Sequence, residues 1–201
     1  GARYDITERI AARTYFTLTS LRADDKKGTN EMKQRNLNFK SKIFDWEGGI
    51  QYSILNPNES WWIPYVYAGV GVFHFKPYTN TVTGTKVFLK PLSTEGQGFI
   101  PGIKEYKLTQ LSIPIGFGIE RAINEDLRVG LEMGYRKTFT DHIDDASGPY
   151  VNEAALLAAR GPLAVDLAYR GDEVGAGASP PPNFVRGNAE NKDAYFYIAL
   201  T

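Results

Sequence analysis

Asp141, His142, Asp144, Asp145 and Ser147 bring carboxylates, an imidazole and a hydroxyl together within seven residues. These are the groups that bind a hard cation or relay a proton to a nucleophile. Two chemistries follow, a calcium loop or a lipid-modifying catalytic group. A calcium loop needs oxygen ligands at every second position and a late bidentate glutamate, and the segment has neither. A Ser/His/Asp relay is assembled in space, which adjacency in sequence does not supply. A structured surface turn accounts for the same residues, because Asp and Ser bond their own backbone in turns. No catalytic residue, metal ligand or cofactor is therefore assigned. The chain has no cysteine, and its two histidines, His74 and His142, are far apart, so neither a thiolate nor an imidazole metal site is supported. Gly96, Gly98 and Gly102 surround Gln97 without the strand-to-helix context of a phosphate cradle.

Other titratable residues fall into order when the chain is read in steps of two. In 44–54, Phe44, Trp46, Gly48, Ile50, Tyr52 and Ile54 share one face, and Asp45, Glu47, Gly49, Gln51 and Ser53 share the other. This is the alternation of a half-buried strand. Leu111, Ile113, Ile115, Phe117 and Ile119 alternate in the same way with Gln110, Ser112, Gly116, Gly118 and Glu120. Leu127, Val129, Leu131, Met133 and Tyr135 alternate with Arg128, Gly130, Glu132, Gly134 and Arg136. Weaker strands are read at 1–6, at 9–21 and over the last residues, where Phe196, Ile198 and Leu200 oppose Tyr195 and Tyr197. In 62–75 an apolar face of Val66, Ala68, Val70 and Val72 opposes Tyr65, Tyr67, Gly69, Gly71, Phe73 and Phe75, which predicts an inner face mixing glycine and aromatic packing. Pro114 falls in mid-strand without a ladder N–H, so a bulge or one lost ladder bond is expected there.

The connections alternate in length. Short turns fall near Thr7 and Glu8, at 56–60 and at 123–126, and the links 23–38, 78–105 and 141–193 are long. Short turns on one side and long loops on the other are the layout of an outer-membrane barrel, with the turns in the periplasm. The fold expected is all-β: a single-domain, eight-stranded antiparallel transmembrane β-barrel over residues 1–201, with its first strand missing from this chain. Within the last long link, 152–160 reads as a short helix capped by Asn152, and 171–183 as an irregular Gly- and Pro-rich stretch. Composition agrees with a barrel whose outer face alone is apolar: 20 glycines and 12 tyrosines accompany 42% hydrophobic residues, at a mean hydropathy of −0.33. No run of eighteen apolar residues is present, so a helical membrane span is excluded. A soluble sandwich or lipocalin-like barrel shares the alternation.

If the apolar face meets lipid, the opposite face collects Arg13, Asp45, Glu47, Glu120, Glu132 and Arg136, with Arg3 and Arg128, in one lumen. Eight strands leave an interior that side chains fill, so these charges are expected to pair across it as a plug; the alternative is a conduction path gated by ion pairs. Trp46, Trp61, Trp62, Tyr52, Tyr65 and Tyr135 near strand ends fit interfacial girdles. The balance of 23 basic and 23 acidic residues, net charge zero, lacks the basic footprint of a nucleic-acid binder.

The segments PYVYAGVGVFHFKP (64–77), KPLSTEGQG (90–98), YKLTQLSIPIGFGIE (106–120), GLEMGYRKTFTDHIDDASGPY (130–150) and GNAENKDAYFYI (187–198) resemble the PorG family, the small outer-membrane barrel of the Bacteroidetes type IX secretion system. TEGQG and YRKTFTDHIDD are the specific part, and the first sixty residues match mainly as generic barrel strands. The resemblance implies a non-enzymatic component of a protein-export and gliding machine in the cell outer membrane, which ties the periplasmic ring of the PorK lipoprotein and PorN to that membrane. It brings no catalytic residues. The chain departs from a complete member in lacking a first strand and a terminal aromatic. With that topology the ring would reach only the short turns, so Glu59, Glu125 and Asp126 are the candidate contacts. A general structural or adhesive barrel, and a lipid-modifying barrel enzyme, are the other functions compatible with the residues.

Overall fold

The computed structural model describes residues 1–124 and 127–201. It is all-β. Strands β1 (Ala2–Asp5), β2 (Ile10–Asp24), β3 (Asn38–Ser53), β4 (Trp62–Asn80), β5 (Lys86–Phe88), β6 (Thr109–Ala122), β7 (Arg128–Thr138) and β8 (Ala194–Leu200) form one antiparallel sheet. Three short helices, α1 (Asn30–Arg35), α2 (Glu153–Arg160) and α3 (Pro162–Ala168), lie in the long connections. The order is β1-β2-β3-β4-β6-β7-β8, and β5 pairs only with β4. The sheet does not close, since β1 and β8 are its edges and are not paired with each other. The ring expected from sequence is thus not completed by these residues. The eighth strand of the sheet is instead β5, three residues long and too short to carry a period-two signal.

The sheet nonetheless curls strongly. Arg13 on β2 and Glu132 on β7 are separated by four strand-to-strand steps, which in a flat sheet would span roughly 19 Å at about 4.8 Å per step. Their side chains meet at 2.6 Å. Polarity across the curled sheet is inverted relative to an ordinary core. Ile50, Ile113, Ile115, Leu131 and Met133 point to the convex side and are 38–50% exposed, whereas Arg13, Glu47, Glu132 and Arg136 are at most 4% exposed. Trp46, Trp62, Tyr52 and Tyr135 are exposed on the convex side and Trp61 in the turn before β4, but Tyr65 is buried inside. Tyr65 is on an odd position of β4, with Tyr67 and Phe73, so its ring belongs to the interior and not to a girdle.

Inner-face glycines make room for those rings. A Cβ on Gly118 would lie 2.4 Å from the Tyr65 ring, and one on Gly134 would lie 2.2 Å from the Tyr67 hydroxyl. Pro114 produces no bulge. Register with β4 is the same on both sides of it, but the ladder is interrupted between the pairs Ala68↔Ile115 and Gly71↔Ser112, while Pro114 stays paired with Arg136 on β7.

The interior has two layers. Toward the short turns it is polar. Toward the long loops Ile43, Phe73, Phe75, Tyr106, Ile143 and Tyr195 form an apolar cluster, with Phe73 and Phe75 stacked at 5.6 Å and Phe75 and Tyr106 at 6.1 Å. Sequence alternation alone did not separate these layers. The helix expected over 152–160 forms as α2, with Asn152 Oδ1 accepting the Ala155 N–H at 3.0 Å. It packs on α3 through Leu156, Ala164 and Ala168.

Candidate functional site

Period-two alternation of β2, β3, β6 and β7 aims Arg13, Asp45, Glu47, Glu120, Glu132 and Arg136 into the curl, and the structure joins five of them by ion pairs and links Glu120 to Arg13 through Gln51. Arg13 grips Glu132 with both terminal nitrogens, at 2.6 and 3.0 Å, and lies 3.5 Å from Glu47. Arg136 donates to Asp45 at 3.0 Å and pairs with Glu47. Glu120, nearer the short turns, is bound by Arg3 at 2.9 Å and approached by Arg128 at 3.9 Å. Four arginines therefore meet four carboxylates, as a dry interior requires of buried charge.

Sequence reasoning missed the phenols that complete this network. The Tyr65 hydroxyl donates to Glu132 at 2.7 Å, the Tyr197 hydroxyl also binds Glu132, and Tyr67 and Tyr197 share a hydrogen bond of 2.9 Å. Arg13 stacks its guanidinium over the Tyr67 ring at 3.9 Å and over Tyr15 at 4.3 Å. Glu132 thus has three donors, Arg13, Tyr65 and Tyr197. Along the open seam a cleft of about 550 Å³ is lined by Tyr15, Thr17 and Leu21 of β2 and by Tyr195, Tyr197 and Ile198 of β8, with Asp45, Glu132 and Arg136 at its floor.

The loop cluster singled out for chemistry is built differently. Asp145 is fully buried and accepts from Tyr106 at 2.6 Å and from Thr94 at 2.8 Å. Arg186, from the far end of the same long loop, lies against Asp145 and donates to Glu95 at 2.9 Å, and Glu95 also takes the Ser147 N–H at 2.7 Å. The TEGQG and TDHIDD blocks are therefore the two halves of a buried clamp that fastens the 81–108 loop to the 139–193 loop. Gly96 and Gly98 have positive φ, 88° and 79°, the left-handed region that glycine enters without strain. That turn carries Glu95 and Gln97 inward, with Gln97 Oε1 accepting the Glu95 N–H at 3.1 Å.

No proton relay forms in this cluster. His142 stacks on the Tyr106 ring at 4.4 Å, and its buried Nδ1 has no hydrogen-bond partner among the described residues, so nothing orients it as a base. Burial lowers its pKa. Burial pushes the carboxyl of Asp144 up to about 7, helped by the nearby Asp193, and that of Asp141 up to about 6. Asp145 is raised by burial and pulled back by Arg186. Among the described residues no group of three or more His, Cys, Asp or Glu side chains could hold a metal.

At the opposite end, Glu59 is exposed in the turn after β3, where Asn56 Nδ2 donates to it at 2.9 Å and to Glu8 at 3.2 Å. The turns at Glu8 and Glu59 thus lie together. A shallow cleft of about 570 Å³, lined by Pro57, Glu59, Trp61 and Arg128 among others, opens beside them. Glu125 and Asp126 lie outside the described residues. No helix among the described residues is long and apolar enough to cross a membrane, which leaves strands untested. No protein-family model matches the chain, and no curated protein or solved structure is significantly similar to it.

Proposed function

We propose that this chain is a small outer-membrane β-barrel acting as a non-enzymatic component of the type IX secretion machinery, anchoring a periplasmic ring of the PorK and PorN type to the membrane. The observation that carries the membrane reading is the inverted polarity. Aliphatic and aromatic side chains cover the convex face of β2, β3, β4, β6, β7 and β8, while paired arginines and carboxylates fill the concave face. In water that arrangement would expose the surface whose burial drives folding; in lipid it is the stable one. In this reading one further antiparallel strand between β1 and β8 makes a ring of eight, with β5 outside it, and removes both edges, which lipid does not tolerate.

The secretion role rests on the resemblance of the TEGQG and YRKTFTDHIDD blocks and their flanking strands. The interior and the loop clamp favour a scaffold over an enzyme, since the buried arginines there are held in ion pairs with buried carboxylates and His142 Nδ1 has no partner to orient it as a base. Pull-down of the full chain from detergent-solubilised membranes, with identification of the bound proteins, tests this directly. Recovery of the two ring proteins is the expected result. Recovery of none, with the barrel intact, favours a general structural or adhesive barrel.

A further inference from the structure

The convex face is apolar along most of its height but changes character at the long-loop end of β2, β3 and β4. Three outward rows run side by side there in register. Leu18 pairs with Phe44, which pairs with His74; the next outward step is Ser20, Lys42 and Lys76; the next is Arg22, Lys40 and Tyr78. Phe16 stacks on Trp46 at 6.0 Å and packs on Phe44 at 6.1 Å immediately below. The cations therefore begin one outward step, about 7 Å, beyond an aromatic cluster. β5 adds another: the Lys86 ammonium lies 3.9 Å from the Tyr78 ring centre, and Lys76 lies 4.2 Å from that of Phe88.

Nothing in the described residues neutralises this tier. Arg22, Lys40, Lys42, Lys76 and Lys86 are exposed, and none has a carboxylate within ion-pair distance, whereas Lys90 beside them is paired with Glu105 at 3.1 Å. Lys42 stands directly opposite Lys76, and Arg22 opposite Lys40. Like charges facing one another across strands are destabilising, and the chain as a whole has no excess of positive charge. The segregation is therefore local. At the short-turn end of the same face the outward residues are Ile10, Tyr52 and Trp62, with Arg121 held 5.2 Å over the Trp62 ring.

We infer that Arg22, Lys40, Lys42, Lys76 and Lys86 form a binding surface for phosphate-bearing lipid headgroups in the leaflet that faces the long loops. Acyl chains lie on the Phe16, Phe44 and Trp46 rings, and the phosphates sit between the lysines of β3 and β4. The charge complementarity is one-sided, and the apolar and cationic tiers have the order and spacing of an amphiphile standing in a leaflet. Lysine suits the task because its ammonium is a compact point charge on a stem that can lie along lipid. This inference rests on the membrane reading given above.

The test uses the full chain inserted into phosphatidylcholine vesicles with and without phosphatidic acid. Protease protection of the strands reports insertion, and phosphatidic acid co-isolated with the protein reports headgroup binding. Phosphatidic acid is expected to be enriched around the protein. Lys42→Gln, Lys76→Gln and Lys40→Gln should each lower the enrichment by about fivefold, the worth of one lysine at an anionic surface, and Lys33→Gln on α1 should not. Millimolar inorganic phosphate should fail to displace the lipid; full displacement would identify a free-anion site and overturn the lipid assignment. Insertion without enrichment, or enrichment indifferent to the three lysines, overturns the inference alone. Absence of strand protection in every vesicle overturns the membrane reading and this inference with it.

Discussion

At the scale of single residues the interior is held by charges that cannot tolerate losing a partner. Arg136 sits between Asp45 and Glu47 and is 1% exposed, so Arg136→Met leaves the buried Asp45 without its ion-pair partner and Glu47 with Arg13 alone, at 3.5 Å. Removing one member of a buried pair costs about 3–5 kcal/mol, and the urea midpoint of the folded chain should fall accordingly. Adding Asp45→Asn and Glu47→Gln to the same variant should recover much of the loss. The loop clamp makes a prediction about pH. The folded Asp144 pKa of about 7 lies above the ordinary value of 3.8, so folding favours the protonated form. Its favourable contribution is complete below about pH 4 and is lost as pH rises toward 7; above that, the ionised carboxyl burdens the loop at full strength. Asp141 acts the same way up to about pH 6. His142, depressed by burial, acts oppositely: its stability is present above its ordinary pKa and lost as pH falls below it. Asp144→Asn keeps an acceptor for the Ala146 N–H and removes the ionisation. Hydrogen exchange over 139–193 should be slower in this variant than in the parent at pH 8, and the two should converge as pH falls below about 4.

At the scale of elements the glycines divide by face. Gly118 lies inside, under the Tyr65 ring, where an added Cβ would be 2.4 Å from it, while Gly48 lies outside with nothing within 4 Å of its Cβ position. Gly118→Val should displace Tyr65 from Glu132 and reduce the yield of folded, protease-resistant protein severalfold, and Gly48→Val should fold as the parent does. Equal behaviour of the two variants would mean that the faces are assigned the wrong way round. This division was readable in the sequence, because a period of two sorts each strand into its faces without any knowledge of which strands meet. The strand boundaries extended further than the pattern, with β4 reaching Asn80 and β2 reaching Asp24, since ladder bonds continue past the last apolar position. What alternation could not supply was anything that depends on curl. Tyr65, Tyr67 and Tyr197 read as aromatic bulk, and their hydroxyls acquire partners only when β4, β7 and β8 come round to face one another. Arg186 was hidden for another reason. It follows a Gly- and Pro-rich stretch whose composition signals an irregular loop, yet its burial comes from the distant Glu95 and Asp145. β5 was too short to show a period at all.

At the scale of the whole molecule the two ends differ in what they can offer a partner. The long-loop end is consolidated by the clamp, the apolar cluster and the α2–α3 pair, whose groups are directed inward at one another. The short-turn end carries acidic side chains at Glu8 and Glu59 and the exposed Trp61 beside an open cleft. If the proposed orientation holds and the short turns face the periplasm, the contact expected for a ring is at Glu59, Glu125 and Asp126, together with residues near Thr7 and Glu8. Turns this small offer little area against the roughly 1,200 Å² at which stable specific interfaces begin, so the contact should lean on charge and on anchoring of the ring to the membrane. Replacing Glu59, Glu125 and Asp126 together by lysine should therefore weaken co-purification of the ring at least tenfold, and more at low salt than at high salt, because exposed charges are screened. Folding, read by protease resistance, should be unchanged, since among the described residues Glu59 bonds only within its own turn. Cross-links that instead join the ring to 141–193 would put the long loops on the periplasmic side and reverse the orientation, and with it the leaflet assigned to the lysines of β3 and β4.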